Sequence, residues 1–174
     1  MKASQLSREL RQGQSPDMTR RRWVIGLSFV GVAMGEIVSA YQTGIVKHLP
    51  DPSGKLGKVF NATQVDASDY GYQRFDSPDG IMMLALYSTT AWLAAAGGLN
   101  RAREKPAIPI AMGLKALYDA VTAVRLAREE WQDNKKLCEY CQVGTAVSLA
   151  SAALAMPEAI RATRNVLGHN TAMA

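Results

Sequence analysis

The sequence predicts an all-α protein, a bundle of four membrane-spanning helices with an extracytoplasmic loop or cap between the first two. Three observations predict it. Apolar residues make up 48% of the 174 positions and charged residues only 20%, and much of the polarity gathers at 1–22, 45–79 and 99–106, leaving long apolar runs between. Aromatics are sparse at 7%, whereas Ala, Gly, Ser and Thr are abundant. Small residues let helices approach closely in lipid, where water does not drive one helix against another. The third observation is an alternation of charge between successive connections, set out below. Composition alone leaves a soluble helical bundle open, so the distribution has to decide.

Residues 1–22 read as a mobile polar arm, with Arg20, Arg21 and Arg22 at its end and no apolar run. A secretory signal is not expected, because the apolar segment that follows is too long and lacks a small-residue cleavage site. The membrane domain is expected over 23–165. Its first span is Trp23–Gly44, 22 residues with the single charge Glu36, enough to cross about 30 Å of hydrocarbon at roughly 1.5 Å per residue. Glu36 reads either as a carboxyl turned toward other helices or as a proton or ligand contact. Residues 45–79 form a long connection broken by Pro50, Pro52 and Gly54. A loop of this length is unusual unless it is functional, so a cap with a short helix or turn near 61–68 is expected. Asn61-Ala62-Thr63 also fits a glycosylation acceptor, a pattern common by chance.

The second span, Gly80–Gly98, has 19 residues and no charge. The third, Ala107–Ala127, carries Lys115 and Asp119 four apart on one helical face, an ion pair turned into the bundle. The fourth runs from Cys138 to Ile160 with Pro157 near its end, and a polar tail follows at 166–174. The arm has six basic and two acidic residues, and the 99–106 turn has Arg101, Arg103 and Lys105 against Glu104. The 45–79 loop has four basic and five acidic residues, and 128–136 has three of each. Excess basic residues mark the cytoplasmic side, which puts both termini inside and Cys138 outside. The basic residues form no stripe interleaved with aromatics, so a nucleic-acid partner is not expected.

Only two cysteines are present, Cys138 and Cys141. They cannot build the disulfide framework of a secreted domain. Alone they fall short of the four ligands usual for zinc, and His48 and His169 lie far away along the chain, so no metal is expected. Cys-x-x-Cys is the spacing of a reversible dithiol. Asp133 or Asn134 can cap a helix beginning just before Cys138. The helix dipole, Lys135 and Lys136 would then favour a thiolate there, with Glu139 opposing. The alternative is that both are small buried packing residues.

At this point the chain resembles the vitamin K epoxide reductase family. Leu137-Cys138-Glu139-Tyr140-Cys141-Gln142 matches the family's active pair at the start of the last helix, Val65-Asp66-Ala67-Ser68 looks like its loop element, and Gly80-Ile81 resembles the start of its second span. The resemblance covers roughly 23–165 and implies a redox-active membrane thiol–disulfide oxidoreductase, coupled to a quinone and found in a bacterial inner membrane. It implies Cys138 and Cys141 as catalytic residues, with Ser68, Asp76 and Thr145 at the quinone. Asp76 and Thr145 stand where the family carries an amide and a tyrosine. One departure is large: family members carry a shuttle cysteine pair in the first loop, and this loop has none, with Ala62 at one of those places. A thioredoxin-like protein or small thiol must then reach Cys138–Cys141 directly, Cys138 facing the partner and Cys141 the quinone. Otherwise the chain is a non-enzymatic membrane subunit or quinone-binding protein that keeps the fold without turnover.

Overall fold

The computed structural model describes residues 2–171, with side chains to residue 168. Among these are seven α-helices and no β-strand: α1 (Ala3–Gln12), α2 (Pro16–Gln42), α3 (Ala62–Asp66), α4 (Asp79–Ala95), α5 (Arg101–Glu104), α6 (Ala107–Asn134) and α7 (Glu139–Thr171). The four long helices α2, α4, α6 and α7 pack as a bundle, with the 43–78 connection folded over one end. Three of the four, α2, α6 and α7, are long and apolar enough to cross a membrane. The fourth, α4, has 17 residues, shorter than the expected 80–98 because the chain leaves the helix after Ala95.

The helices are otherwise longer than the apolar runs that announced them. Ser15 caps α2 by accepting the Met18 N–H at 3.1 Å, and Pro16 follows at the first helical position, where a missing N–H does no harm. The first span therefore begins seven residues before Trp23. The arm expected to be mobile holds α1, which is tied down where Glu9 accepts the Leu99 N–H at 2.7 Å. At the other terminus α7 carries Pro157 in its interior and continues to Thr171. The expected tail is thus helical over 166–171, and residues 172–174, with the His169 side chain, lie outside the described residues.

Small residues set the closest contact, between α2 and α4. Gly31 faces the Tyr87 ring, Gly35 the backbone at Leu84, and a Cβ on Gly80 would lie only 2.6 Å from the Ser39 nitrogen. This face of α2 turns Glu36 outward, and it is exposed, not directed at other helices as one reading of the sequence had it. Lys115 and Asp119 do form the inward ion pair, and Lys115 Nζ also donates to Thr90 Oγ1 at 2.8 Å. The bundle's outside is apolar: Trp23, Phe29, Trp92, Leu114 and Tyr118 are all exposed. A soluble bundle rarely shows so much apolar surface, and lipid solvates it.

The end opposite the cap is fixed by two buried arginines. Arg21, one of three in a row, donates to the carbonyls of Ala94 at 2.8 Å and of Ala96, Gly97 and Gly98 at 3.0–3.1 Å. Ala94 is in the last turn of α4, whose carbonyls have no partner within the helix, and the other three follow it in the turn toward α5. Arg101 makes a two-pronged pair with Glu158 of α7, at 2.8 and 2.7 Å, and donates to the carbonyls of Leu93 and Ala96.

Candidate functional site

At the capped end the 43–78 segment is strapped onto the approach to α7. Leu137 N–H donates to Val59 O and Asn61 N–H to Leu137 O, both at 2.9 Å, forming a single bridge between the two stretches. Lys136 Nζ donates to the carbonyls of Gly57 and Lys58, and the Tyr140 hydroxyl to Pro50 O. The expected short helix is α3, capped by the Asn61 side chain at 2.8 Å from Gln64 N. Val38, Leu49, Ala62, Val65 and Cys138 make one buried apolar cluster beneath it.

The two cysteines occupy the first turn of α7. Cys138 stands just before the helix, and its sulfur accepts the Cys141 N–H at 3.2 Å. That is the relation of an N-cap to the third helical residue, so Cys-x-x-Cys is also the spacing that starts this helix. The Cys138 N–H in turn donates to Glu130, whose other carboxylate oxygen accepts from the Gln142 amide at 3.1 Å. Asp133 and Asn134, the caps expected from the sequence, lie instead in the last turn of α6, which ends at a left-handed Lys135 with φ 53°.

Both thiols are free. The two sulfurs and a carboxylate oxygen of Asp66, at the end of α3, lie within 4.8 Å of one another. The Cys141 thiol is 3.9 Å from Asp66 Oδ1, and Asp66 Oδ2 is buried without a partner. The thiolate expected at Cys138 is not favoured here. Burial first, and then the neighbouring Cys141 thiol and the Asp66 carboxyl, push the Cys138 thiol well above its ordinary value. Lys136, expected to assist, spends its ammonium on loop carbonyls.

A cavity of about 310 Å³ opens beside Cys141, between α4, α6 and the first turns of α7. That is within the size range of small-ligand sites. Met82, Met83, Leu86 and Leu126 give it an apolar wall, and Asp66, Tyr70 and Glu130 a polar end near the sulfur. Phe75, Leu86 and Tyr118 line it and are exposed, so it opens sideways, where α4 and α6 touch little. Arg74 on its rim stacks over Tyr70 at 4.5 Å and pairs with Asp79 and Glu129. Deeper in, the Tyr87 hydroxyl bonds Gly144 O and Ser148.

The predicted site residues divide. Cys138 and Cys141 are side by side, and Thr145, one turn below Cys141, lines the cavity and donates to the Cys141 carbonyl at 3.1 Å. Ser68 is half-buried and returns its hydroxyl to Val65 O at 2.6 Å, away from the cavity lining. Asp76 is exposed in a left-handed turn with φ 49° and does not line the cavity. Asp66 and Glu130 had no role in the sequence reading. Asp66 stood inside the quoted loop element, and only its distance from the sulfurs singles it out.

Burial, offset in part by a hydrogen bond from Cys138, raises the Asp66 carboxyl to about 7. The folded protein therefore holds this proton across a range where the unfolded chain has lost it. Stability from this group is fully present below the usual carboxylate range and is lost as pH rises toward about 7, a loss on the order of a few kcal/mol. Thermal unfolding of wild type is expected to weaken over that window. Asp66→Asn, neutral throughout, should flatten the dependence, and an unchanged slope would contradict the assignment.

A family model described as the Vitamin K epoxide reductase family matches residues 22–156. Comparisons with curated proteins and with solved structures gave no match. The matched stretch takes in all of the cap, the cavity and the cysteine pair, and on that match the chain belongs to the vitamin K epoxide reductase family.

Proposed function

We propose that this chain is a membrane thiol–disulfide oxidoreductase that exchanges two electrons between the Cys138–Cys141 pair and a quinone in the cavity beside Cys141. One observation supports this above the others: two free thiols share a helical turn, and one of them lines a laterally open cavity. The lining fits a quinone. Its methionines and leucines suit a ring and apolar tail. Asp66 Oδ2, buried and unpartnered, suits a carbonyl when the carboxyl is protonated.

In the direction of thiol oxidation, a bound quinone accepts two electrons and two protons and leaves as quinol. The Cys138–Cys141 disulfide closes as the two S–H bonds break, and the two electrons released pass to the quinone on the Cys141 side of the pair. The two thiol protons account for the two that the quinone gains. Asp66, 3.9 Å from the Cys141 sulfur, is placed to carry the first. Tyr70, Thr145 and the cap keep bulk water from the pair.

The reading places four spans in the membrane, α4 among them. At about 1.5 Å per residue its 17 residues give roughly 26 Å, close to the hydrocarbon thickness if the bilayer thins slightly. It also puts both termini in the cytoplasm and the cysteines outside, since basic residues crowd the Arg21–Arg101 end. A thioredoxin-like protein or small thiol would close the cycle. Cys138 is fully buried, so a protein partner requires the cap to lift, whereas a small thiol meets Cys141 first through the cavity. The covered Cys138 and the cysteine-free loop favour a second reading, a family member that binds quinone without turnover.

Thiol titration of the reduced, purified chain with and without a soluble quinone separates the two. Turnover predicts that both thiols disappear and one quinol forms per chain. A pair that stays reduced with quinone present removes the oxidoreductase reading and leaves the binding protein.

A further inference from the structure

The cavity that receives Cys141 is rich in carboxyl groups. Its lining carries four carboxyl groups, Asp66, Asp79, Asp119 and Glu130; Asp79 is paired with Arg74 and Asp119 with Lys115, which leaves Asp66 and Glu130 outside any ion pair among the described residues. The Arg74 guanidinium is held by Asp79 at 2.8 Å and Glu129 at 3.2 Å. At the cavity's inner end stand two sulfurs and a carboxylate oxygen within 4.8 Å of one another, and the second oxygen of that carboxylate, Asp66 Oδ2, is buried with no partner. Asp66 is 3% exposed.

We propose that the reduced pair, together with Asp66, is a binding site for a thiophilic divalent cation of the zinc type. The sequence offers two adjacent sulfur ligands, Cys138 and Cys141. The fold adds the third by bringing the end of α3 against the first turn of α7. Around one zinc ion, thiolate sulfurs lie at about 2.3 Å and carboxylate oxygens at about 2.0–2.2 Å, so neighbouring ligand atoms are about 3.5–3.8 Å apart. The cluster reaches that geometry by changes of about 1.3 Å or less in these spacings, within the reach of side-chain rotation. The ion comes from the cavity, where Cys141 and Asp66 are both lining residues, and Cys138 completes the set from behind. A water from the cavity fills the fourth position, as in zinc sites with three protein ligands.

Binding releases the two thiol protons and, where the Asp66 carboxyl is protonated, its proton as well, and involves no change of oxidation state. Two thiolates and a carboxylate carry three negative charges, two of which the cation offsets. A disulfide has no thiolate to offer, so metal occupancy and oxidation exclude each other. The same sulfurs serve the electron transfer proposed above, but this site needs no quinone and no turnover. Either reading can therefore fail while the other stands.

The test uses the full-length chain in detergent, reduced and stripped of metal, titrated with Co²⁺ and then Zn²⁺. The expected result is one Co²⁺ per chain, with the sulfur-to-cobalt charge-transfer and tetrahedral bands, displaced by one Zn²⁺. Cys138→Ser and Cys141→Ser should each lose those bands, the oxidised chain should not bind, and Asp66→Asn should weaken zinc at least tenfold. Zinc-loaded protein should also oxidise at least tenfold more slowly with a thiol oxidant. Asp66→Cys guards against a variant that merely misfolds, since a third thiolate should tighten zinc and intensify the charge-transfer band. No stoichiometric cobalt, bands that survive loss of either cysteine, or Asp66→Asn and Asp66→Cys both binding as wild type would overturn the site.

Discussion

Cys141→Ser is expected to lower quinone-coupled thiol oxidation by roughly a thousandfold or more, leaving the fold intact. The magnitude follows from removing a covalent participant, since a serine hydroxyl neither ionises near neutral pH nor forms the disulfide. The fold should tolerate it because Cys141 is only half-buried and contributes its backbone N–H, not its sulfur, to the start of α7. Cys138→Ser should be equally inactive but chemically different. Its sulfur is fully buried in the cap cluster, and a serine hydroxyl can take over as N-cap acceptor. The remaining Cys141 still faces the cavity. A small apolar alkylating reagent should therefore label Cys138→Ser readily and Cys141→Ser slowly, until the cap is loosened. Labelling rates read by mass spectrometry check this without reference to activity. Faster labelling of Cys138 than of Cys141 would reverse the proposed geometry of approach.

Much of this arrangement was legible in the residues, and the parts that were not share a cause. Apolar runs bounded by Pro and Gly located all four long helices, because such runs have few alternatives to a continuous helix. Helix ends were missed where polar residues continue the helix beyond the apolar face, as where Arg125 and Glu129 pair one turn apart in the last part of α6. Pairing of this kind extends a helix without any hydrophobic signal. The adjacent cysteines were legible because three residues make one helical turn. Asp66 and Glu130 were not, since each reaches the pair from a different helix, 75 and 8 positions away in sequence. Arg21 looked like its two solvated neighbours in the basic run. Its burial depends on the open carbonyls at the end of α4, more than seventy residues on. Asp76 shows the converse. A local motif offered it to the site, and the left-handed turn at Phe75 and Asp76 swings it outside.

The second large effect belongs to the opposite end of the bundle. Glu158→Ala is expected to destabilise the protein by about 3–5 kcal/mol, because it leaves the Arg101 guanidinium buried with its countercharge gone. The Arg101 side chain is 0% exposed and that of Glu158 only 3%, so water cannot replace the carboxylate without opening the α5–α7 contact. Glu158→Gln keeps one acceptor and should cost less, about 1–3 kcal/mol. Replacing both partners, Arg101→Met with Glu158→Leu, should recover most of the loss, since a buried pair exchanged for apolar residues is often neutral. The exposed pair Arg125–Glu129 supplies the contrast. Arg125 is 77% exposed, and Arg125→Ala should change stability by less than about 1 kcal/mol. Equilibrium unfolding in mixed micelles measures all four. A Glu158→Ala protein within about 1 kcal/mol of wild type would mean that the pair is hydrated and not structural. Because this cluster lies at the end of α4 away from the cysteines, Cys141 labelling per folded molecule should be unchanged in every one of these variants. A shift in that rate would show that the two ends of the bundle move together, through α7, which carries both Glu158 and the cysteine pair's first turn.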